Sequence, residues 1–580
     1  MKKINIDHLC RVEGNGGITA TIDGNVVSEV KFNVYEGPRL IEKLTLGLTP
    51  EEDVSMSPRI CAICTLSHKN AILRAFENAL DITLPPKTQL LRELMHMGEM
   101  IESHSLHTFY LALPDYLGFP NAIAMASKYG FEVKIALEMK HFGNHIMKVI
   151  SGRYIHGENP VIGGFGKFPT RDELLFLKER AIQFMPFVLK TVDLFCTLGY
   201  PDIPEDDTVY ACCEPGNGRF GFWGDEILLS NGDKFFRDDY KELTNEFVVP
   251  HSYCKRSRYQ GKPYSVGALA RINVLGERLQ GEAGKAFGKY FNKRWTRNPL
   301  FHNAAQALEI LYSFERIPEI IDEMLKYEDD PEPVAYTAKD GKGTGLAEAP
   351  RGLLIHHHEV TDGKVSHVDI ITPTAQNAED IEHYCHLAAQ KLLDQGLEDQ
   401  IRDRMDIVVR AFDPCISCSA HMARVEKAGE ENWTRLWDDI HKQGNPVFVG
   451  VGSSDHSDDR IGLELARRFR ETGITNVWEE DEIQGNHDFL ASSQGNPLVF
   501  MDALEFSESP GKITLIPLEY VLNHAGLSHK FIPFLTHLAD PNQLKNAYVL
   551  GIQPQSIEKG TKISPQVLSA VEKILERTAN

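Results

Sequence analysis

PRICAICTLSH at residues 58–68 and FDPCISCSAH at residues 412–421 are the two stretches around which the chain organises. Each carries a Cys-x-x-Cys pair, Cys61/Cys64 and Cys415/Cys418, that can present two thiolates to one metal. Four soft sulfur ligands suit zinc, an iron–sulfur cluster or nickel. A structural zinc ribbon keeps its pairs within a few tens of residues, whereas 351 residues separate Cys64 from Cys415 here. A thioredoxin-type redox pair is also open, although Cys61–Cys64 follows no obvious strand. The other six cysteines (Cys10, Cys196, Cys212, Cys213, Cys254, Cys385) are scattered and read as structural thiols rather than a disulfide framework.

Outward from the first pair, residues 18–35 alternate like a hairpin turning at Asp23-Gly24. Residues 87–112, 131–150 and 171–197 read as long helices, and 350–373 as two strands turning at Asp362-Gly363. Residues 1–421 are therefore expected to be α+β with a central bundle of long helices. After His421 the character changes. Residues 422–444 are highly charged and read as an exposed helical linker. PVFVGVG (446–452), LVFMDA (498–503) and AYVLGI (547–552) read as buried strands alternating with helices, the last helix starting at Ser564-Pro565. Residues 445–580 are thus expected to form an α/β domain on a parallel sheet, phosphorylase/hydrolase-like.

The chain has 580 residues and a formal net charge of −21, which argues against nucleic acid or an anionic membrane as main partner and suits a cytoplasmic protein. No apolar run is long enough to span a bilayer, and MKKINIDHLCRVEG lacks the apolar core of a secretory signal.

The first 421 residues resemble the large subunit of nickel–iron hydrogenases, in its cytosolic branch linked to NAD(P) or sulfur. The resemblance rests on Arg59, Cys61, Cys64 and His68, on Asp413, Pro414, Cys415, Cys418 and His421, and on RVEG (11–14), EGPRLIEKLTLG (36–47), ESHSLHTFYLALPDYLG (102–118), EAPRG (348–352) and PTAQN (373–377), in order along the chain. It implies that the four cysteines hold nickel, with Cys64 and Cys418 bridging to an iron that carries carbon monoxide and cyanide. It implies reversible heterolytic cleavage of hydrogen, Cys415 and Glu13 serving proton transfer. Arg351 and Thr374 would donate to the cyanides, and Asp115 would hold the arginine. Glu42, His421 and a backbone carbonyl near Ile370 would bind magnesium or another divalent ion. Asn15 departs from the histidine of many relatives. An iron–sulfur small subunit, flavin- or NAD(P)-linked electron-transfer subunits and maturation factors would be the partners, since no further cysteine set could hold a cluster.

The remaining residues resemble hydrogenase maturation proteases, carried by GVGSSDHSDDRIG (450–462), FMDA (500–503), Ser528-His529 and GIQP (551–554). This implies a trio of Asp459, Asp502 and His529 that recognises nickel, and a cut between His421 and Met422. Ser453 stands where the family has asparagine, the second loop reads Gln484-Gly485-Asn486, and His524 competes with His529. An inactive protease fold serving as a structural or assembly cap is the alternative.

Overall fold

The computed structural model describes residues 2–37, 40–337, 339–420, 430–483, 486–493, 495–504, 510–518, 546–556, 560 and 562–578. The chain divides into two compact units, Met1–Met422 and Ala423–Asn580.

In the first unit, helices Pro86–Leu106, Ala122–Ser151, Arg171–Cys196 and His302–Met324 pack together around a continuous apolar core that includes Leu94, Phe142, Phe184 and Phe314. The helix expected over 87–112 starts at Pro86 and widens into a π-helical turn over His107–Ala112. Such turns re-aim side chains and recur at functional sites. The hairpin over 18–35 forms as Gly16–Asp23 and Val26–Val34, and Lys2–Ile6 adds a third antiparallel strand. Helix Pro373–Asp394 covers this sheet.

The strands expected over 350–373 form as Gly352–Thr361 and Lys364–Ile371, in a sheet whose third strand is Gly341–Ala349. That third strand has no sequence signature, because its glycines serve packing. A Cβ at Gly341, Gly343 or Gly345 would lie 2.4, 2.2 or 2.0 Å from the carbonyl oxygens of Ala79, Ala75 or Ala71. Only glycine lets the strand backbone lie against helix Thr65–Ala79. This helix starts directly after Cys64, so the close packing fixes the first thiolate pair relative to the sheet that carries Arg351 at its Ala349–Gly352 turn.

The second unit holds a five-stranded sheet in the order Val477–Glu479, Val447–Gly450, Leu498–Ala503, Ala547–Ile552, Ile513–Pro517. All pairings are parallel except the last. Helices Ile461–Glu471 and Pro565–Thr578 cover one face. Helix Glu430–Gln443 joins them. Its Trp433, Trp437 and Ile440 are buried in the same core, and Trp437 stacks on Phe448 at 5.6 Å. The stretch read as an exposed linker is therefore, from residue 433 on, part of the second unit's core: two tryptophans on one helical face outweigh the surrounding charge. No helix among the described residues is long and apolar enough to cross a membrane.

Candidate metal centre

The two distant thiolate pairs meet. The sulfurs of Cys61, Cys64, Cys415 and Cys418 all lie within 4.8 Å of one another, and each residue is at most 2% exposed. Cys61 Sγ is 3.4 Å from Cys415 Sγ, Cys64 Sγ 3.2 Å from Cys418 Sγ, and Cys415 Sγ 2.8 Å from Cys418 Sγ. Four sulfurs at these separations in a dry pocket cannot all ionise without a cation. Hydrogen bonds from Cys415, Cys418 and Cys64 hold the Cys61 thiol well below its usual range, against its burial and with the help of the Arg351 charge. Burial pushes Cys64 up to about 11 and raises Cys415 and Cys418 well above the ordinary thiol value.

The Arg351 charge interacts with Cys415, Cys64 and Cys61. Its Nε donates to the carbonyl of Asp413 at 3.1 Å and its Nη2 to the Asp413 carboxylate at 3.0 Å. Its Nη1 is buried and has no partner. A buried guanidinium donor without a partner can donate to an anionic ligand. Thr374 Oγ1 accepts from the Cys415 N–H at 2.8 Å, which leaves its own proton free to donate. Both observations fit a metal that carries small anionic ligands.

Asp115, expected to hold Arg351, does not. Its carboxylate binds Arg11 and accepts from Arg410 Nε at 2.7 Å. The acid on Arg351 is Asp413, two residues before Cys415. Two arginines closer to Asp115 saturate it, and the motif around it carries no sign of which arginine it meets. Behind Asp413 stands a chain that sequence reasoning missed. Gln306 Nε2 donates to Asp413 Oδ2 at 3.1 Å, and His107 Nδ1 lies 2.5 Å from Gln306 Oε1. His107 comes from the π-helical turn. Arg271 was missed as well. It donates to the carbonyls of Ala349 and Pro350, both at 3.1 Å, and is neutralised by Glu309 and Glu348 in full burial. It pins the backbone that leads into Arg351.

Glu13 lies against the second thiolate pair. Its carbonyl accepts from Ile416 N–H at 3.0 Å, and its carboxylate accepts from Ser417 N–H at 3.0 Å and from the Ser417 hydroxyl. Gly14 makes this approach possible, with φ +86° and no room for a Cβ, which would sit 2.7 Å from Ile416 Cβ. Glu13 is half-buried and so spans from the centre outward. Glu42, 5% exposed, accepts from the Ile370 N–H at 2.7 Å. His421, the remaining expected ligand of that divalent site, lies outside the described residues. A cavity of about 500 Å³ lined by Ala62, Ile63, Glu102, Lys140, Tyr154 and Ile155 borders the first cysteine pair.

In the second unit, Asp459 follows strand Val447–Gly450 and Asp502 lies near the end of the adjacent parallel strand. Ligand-binding groups gather at this carboxyl edge of parallel sheets. Burial, then the nearby Asp459 charge, drives Asp502 well above the usual carboxylate range. The neighbouring Asp458 has a different job. Its buried carboxylate accepts from the N–H groups of Gln555 (2.7 Å), Ser556 (3.1 Å) and Ser564 (2.7 Å). Ser453 Oγ lies 3.1 Å from His456 Nδ1. His529, His524 and Gln484-Gly485 lie outside the described residues.

A buried four-thiolate pocket, in an α+β unit with a helical bundle, defines a soft-metal-binding protein, and comparison with known proteins gives its family. The family model "Nickel-dependent hydrogenase" matches residues 39–134 and 231–421. The chain is 39% identical over 427 residues to sulfhydrogenase 1 subunit alpha of Pyrococcus furiosus, covering 73% of this chain and 98% of that one. It is 27% identical to the NAD-reducing hydrogenase HoxS subunit beta of Cupriavidus necator, covering 72% and 95%. The solved NAD+-reducing [NiFe]-hydrogenase in the H2-reduced state superposes with a TM-score of 0.66 at 28% identity, over 73% of this chain and 100% of that chain. A second family model, "Hydrogenase maturation protease", matches residues 484–580. The chain belongs to the nickel-dependent hydrogenase large-subunit family and carries a hydrogenase maturation protease domain behind it.

Proposed function

We propose that this chain is the catalytic large subunit of a nickel–iron hydrogenase that oxidises hydrogen and reduces protons reversibly. The observation that carries the reading is the closed set of four buried sulfurs, three of them within the field of Arg351, whose Nη1 is buried and unpartnered. Cys61, Cys64, Cys415 and Cys418 would hold a nickel–iron centre bearing carbon monoxide and cyanide, which supplies the electron-rich metal for heterolytic cleavage of hydrogen. The chain's own residues do the rest. Arg351 Nη1 and the Thr374 hydroxyl donate to the anionic ligands. Burial excludes water. Cys415 takes the proton, and Glu13, held by Ser417, carries it outward. Glu42 would share a magnesium or other divalent ion with His421 and a carbonyl near Ile370. Electrons would leave through an iron–sulfur small subunit to flavin- or NAD(P)-linked partners or to sulfur, as the names of the similar sulfhydrogenase and NAD-reducing subunits suggest. Equimolar nickel and iron with infrared bands of carbon monoxide and cyanide are expected in the matured complex. Zinc alone at the four sulfurs would overturn the reading.

The second unit would be an endopeptidase that uses Asp459, Asp502 and His529 to sense nickel and cuts between His421 and Met422 once maturation factors have loaded the centre. The proximity of Asp459 to the buried Asp502 supports it. One observation favours an inactive cap instead: the protease family model begins at residue 484 and leaves the Asp459 loop unmatched. Intact mass of protein made with and without nickel decides between them. Loss of residues 422–580 only with nickel is expected of the protease, and an uncut chain in loaded, active enzyme rules it out.

A further inference from the structure

Asp413, two residues before Cys415, holds a backbone that side-chain-bearing residues rarely adopt. Its φ is +49°, in the left-handed region, which persists outside glycine only where the surroundings hold it. One imidazole grips this turn at both ends. The Arg410 carbonyl, in the last turn of helix Ile401–Ala411, accepts from the Asp413 N–H at 2.9 Å and meets His107 Nε2 at 2.8 Å. The Asp413 carboxylate accepts from Gln306 Nε2 at 3.1 Å, and the Gln306 oxygen meets His107 Nδ1 at 2.5 Å. His107, Gln306, Arg410 and Asp413 are each at most 4% exposed, so bulk water does not compete for these bonds.

The hydrogens on the His107 ring follow from its partners. The Arg410 carbonyl can only accept, so Nε2 carries a hydrogen. The partner of Nδ1 is an amide, whose two ends must be told apart by what lies beyond. Turning the Gln306 amide would set its oxygen against Asp413 Oδ2, while the same carboxylate already accepts from Arg351 Nη2 at 3.0 Å. The amide nitrogen therefore faces Asp413, the amide oxygen faces His107, and Nδ1 carries a hydrogen too. An imidazole between two acceptors is an imidazolium. Its charge lies 3.9 Å from Asp413 Oδ2 and against the carbonyl end of a helix, both of which favour a cation. His302, one turn before Gln306 on the same helix, is the opposite case. Its Nδ1 accepts from the Leu269 N–H at 3.3 Å, and burial with the Arg271 charge brings it down to about 3.

We propose that His107 is a positioning residue: donating from both ring nitrogens, it locks the left-handed turn at Asp413 and so fixes the Arg351 guanidinium and the approach to Cys415 and Cys418. Asp413 holds Arg351 through its carbonyl and its carboxylate, so a turn that relaxes carries the guanidinium with it. His107 acts through Gln306 and the Arg410 carbonyl, and the π-helical turn that begins at His107 is what aims the ring there. The effect on turnover rests on the nickel–iron reading; the double donation does not.

Neutron diffraction from crystals of the full chain grown in D2O should show deuterium on both ring nitrogens of His107. A bare nitrogen at either position overturns the double donation. Infrared spectra and hydrogen uptake of the nickel-loaded complex test the lock. His107→Gln can reach only one of the two acceptors, and it should shift the cyanide bands and lower turnover per nickel about 10- to 100-fold. Gln306→Met is close in size and cuts only the link to Asp413; it should shift the same bands, and it carries the test if His107→Gln fails to load nickel. Wild-type bands and turnover in a nickel-loaded variant overturn the lock, as a merely packing role for the ring would predict. A wild-type complex without cyanide bands would overturn the nickel–iron reading and the turnover role together, and the deuterium count would still decide the double donation.

Discussion

Arg351 and Asp413 are joined twice, through the Asp413 carbonyl at 3.1 Å and its carboxylate at 3.0 Å, two residues before Cys415. The pair therefore ties the arginine to the second thiolate pair itself. Burial works against the Asp413 charge, but Arg351, His107 and His104 more than offset it and hold the carboxyl below its ordinary range. Asp413→Asn keeps the shape and removes that charge. Hydrogen turnover is expected to fall about 10- to 100-fold with nickel retained, the range for partners that orient a metal site. Hydrogen uptake assays normalised to nickel content check it, and unchanged turnover refutes the role.

Gly14→Ala tests the placement of Glu13. The added methyl would meet Ile416 Cβ at 2.7 Å on a backbone held at φ +86°. The left-handed conformation alone costs about 1–2 kcal/mol for a side-chain-bearing residue. Relief of the clash moves Glu13 from Ser417. Proton-dependent turnover should drop at least about tenfold, while exchange of diatomic-ligand infrared bands stays unaltered if the metal site is intact.

Asp380, fully buried on helix Pro373–Asp394, gives the first unit a pH dependence. Burial, only partly countered by His383, Thr208 and Ser265, pushes it up to about 7 from an ordinary 3.8. The folded state then holds a proton that the unfolded state releases. Below pH 4 both forms are protonated and nothing is lost. Stability falls as pH rises from about 4 to about 7, and levels off above. At 1.36 kcal/mol per pH unit the loss is on the order of 4 kcal/mol. Thermal midpoints of wild type and Asp380→Asn, compared at pH 4.5 and 8, should converge at the acid end and favour the variant at the alkaline end. Parallel pH profiles would refute it.

The two Cys-x-x-Cys pairs were legible because their chemistry is written in residue type, whereas Arg351 was singled out only by the family resemblance. Partnership was not legible. Asp115 and Asp413 both sit in quotable motifs, yet only the packing shows that Arg11 and Arg410 claim the first and Arg351 the second. Strand Gly341–Ala349 was silent because its glycines record contacts with Ala71, Ala75 and Ala79 on a helix far off in sequence rather than a strand propensity. In the second unit, charge around Trp433 and Trp437 masked an apolar helix face.

The adjacent acids Asp458 and Asp459 make opposite predictions for the second unit. Asp458 is 1% exposed and satisfies three backbone N–H groups and the Ser564 hydroxyl, so it ties the loop after strand Ala547–Ile552 to the turn after strand Val447–Gly450. Asp458→Ala leaves those part-buried donors without their acceptor, at up to about 1 kcal/mol each. The second unit should lose its cooperative thermal transition or melt far lower. Asp459 is half-buried and its charge falls on Asp502. Asp459→Ala removes a repulsion, so the unit should fold at least as stably as wild type. Processing after His421 should nevertheless stop, which intact mass reads directly. A stable Asp458→Ala unit would refute the structural assignment, and normal processing by a folded Asp459→Ala chain would remove Asp459 from the nickel-sensing trio.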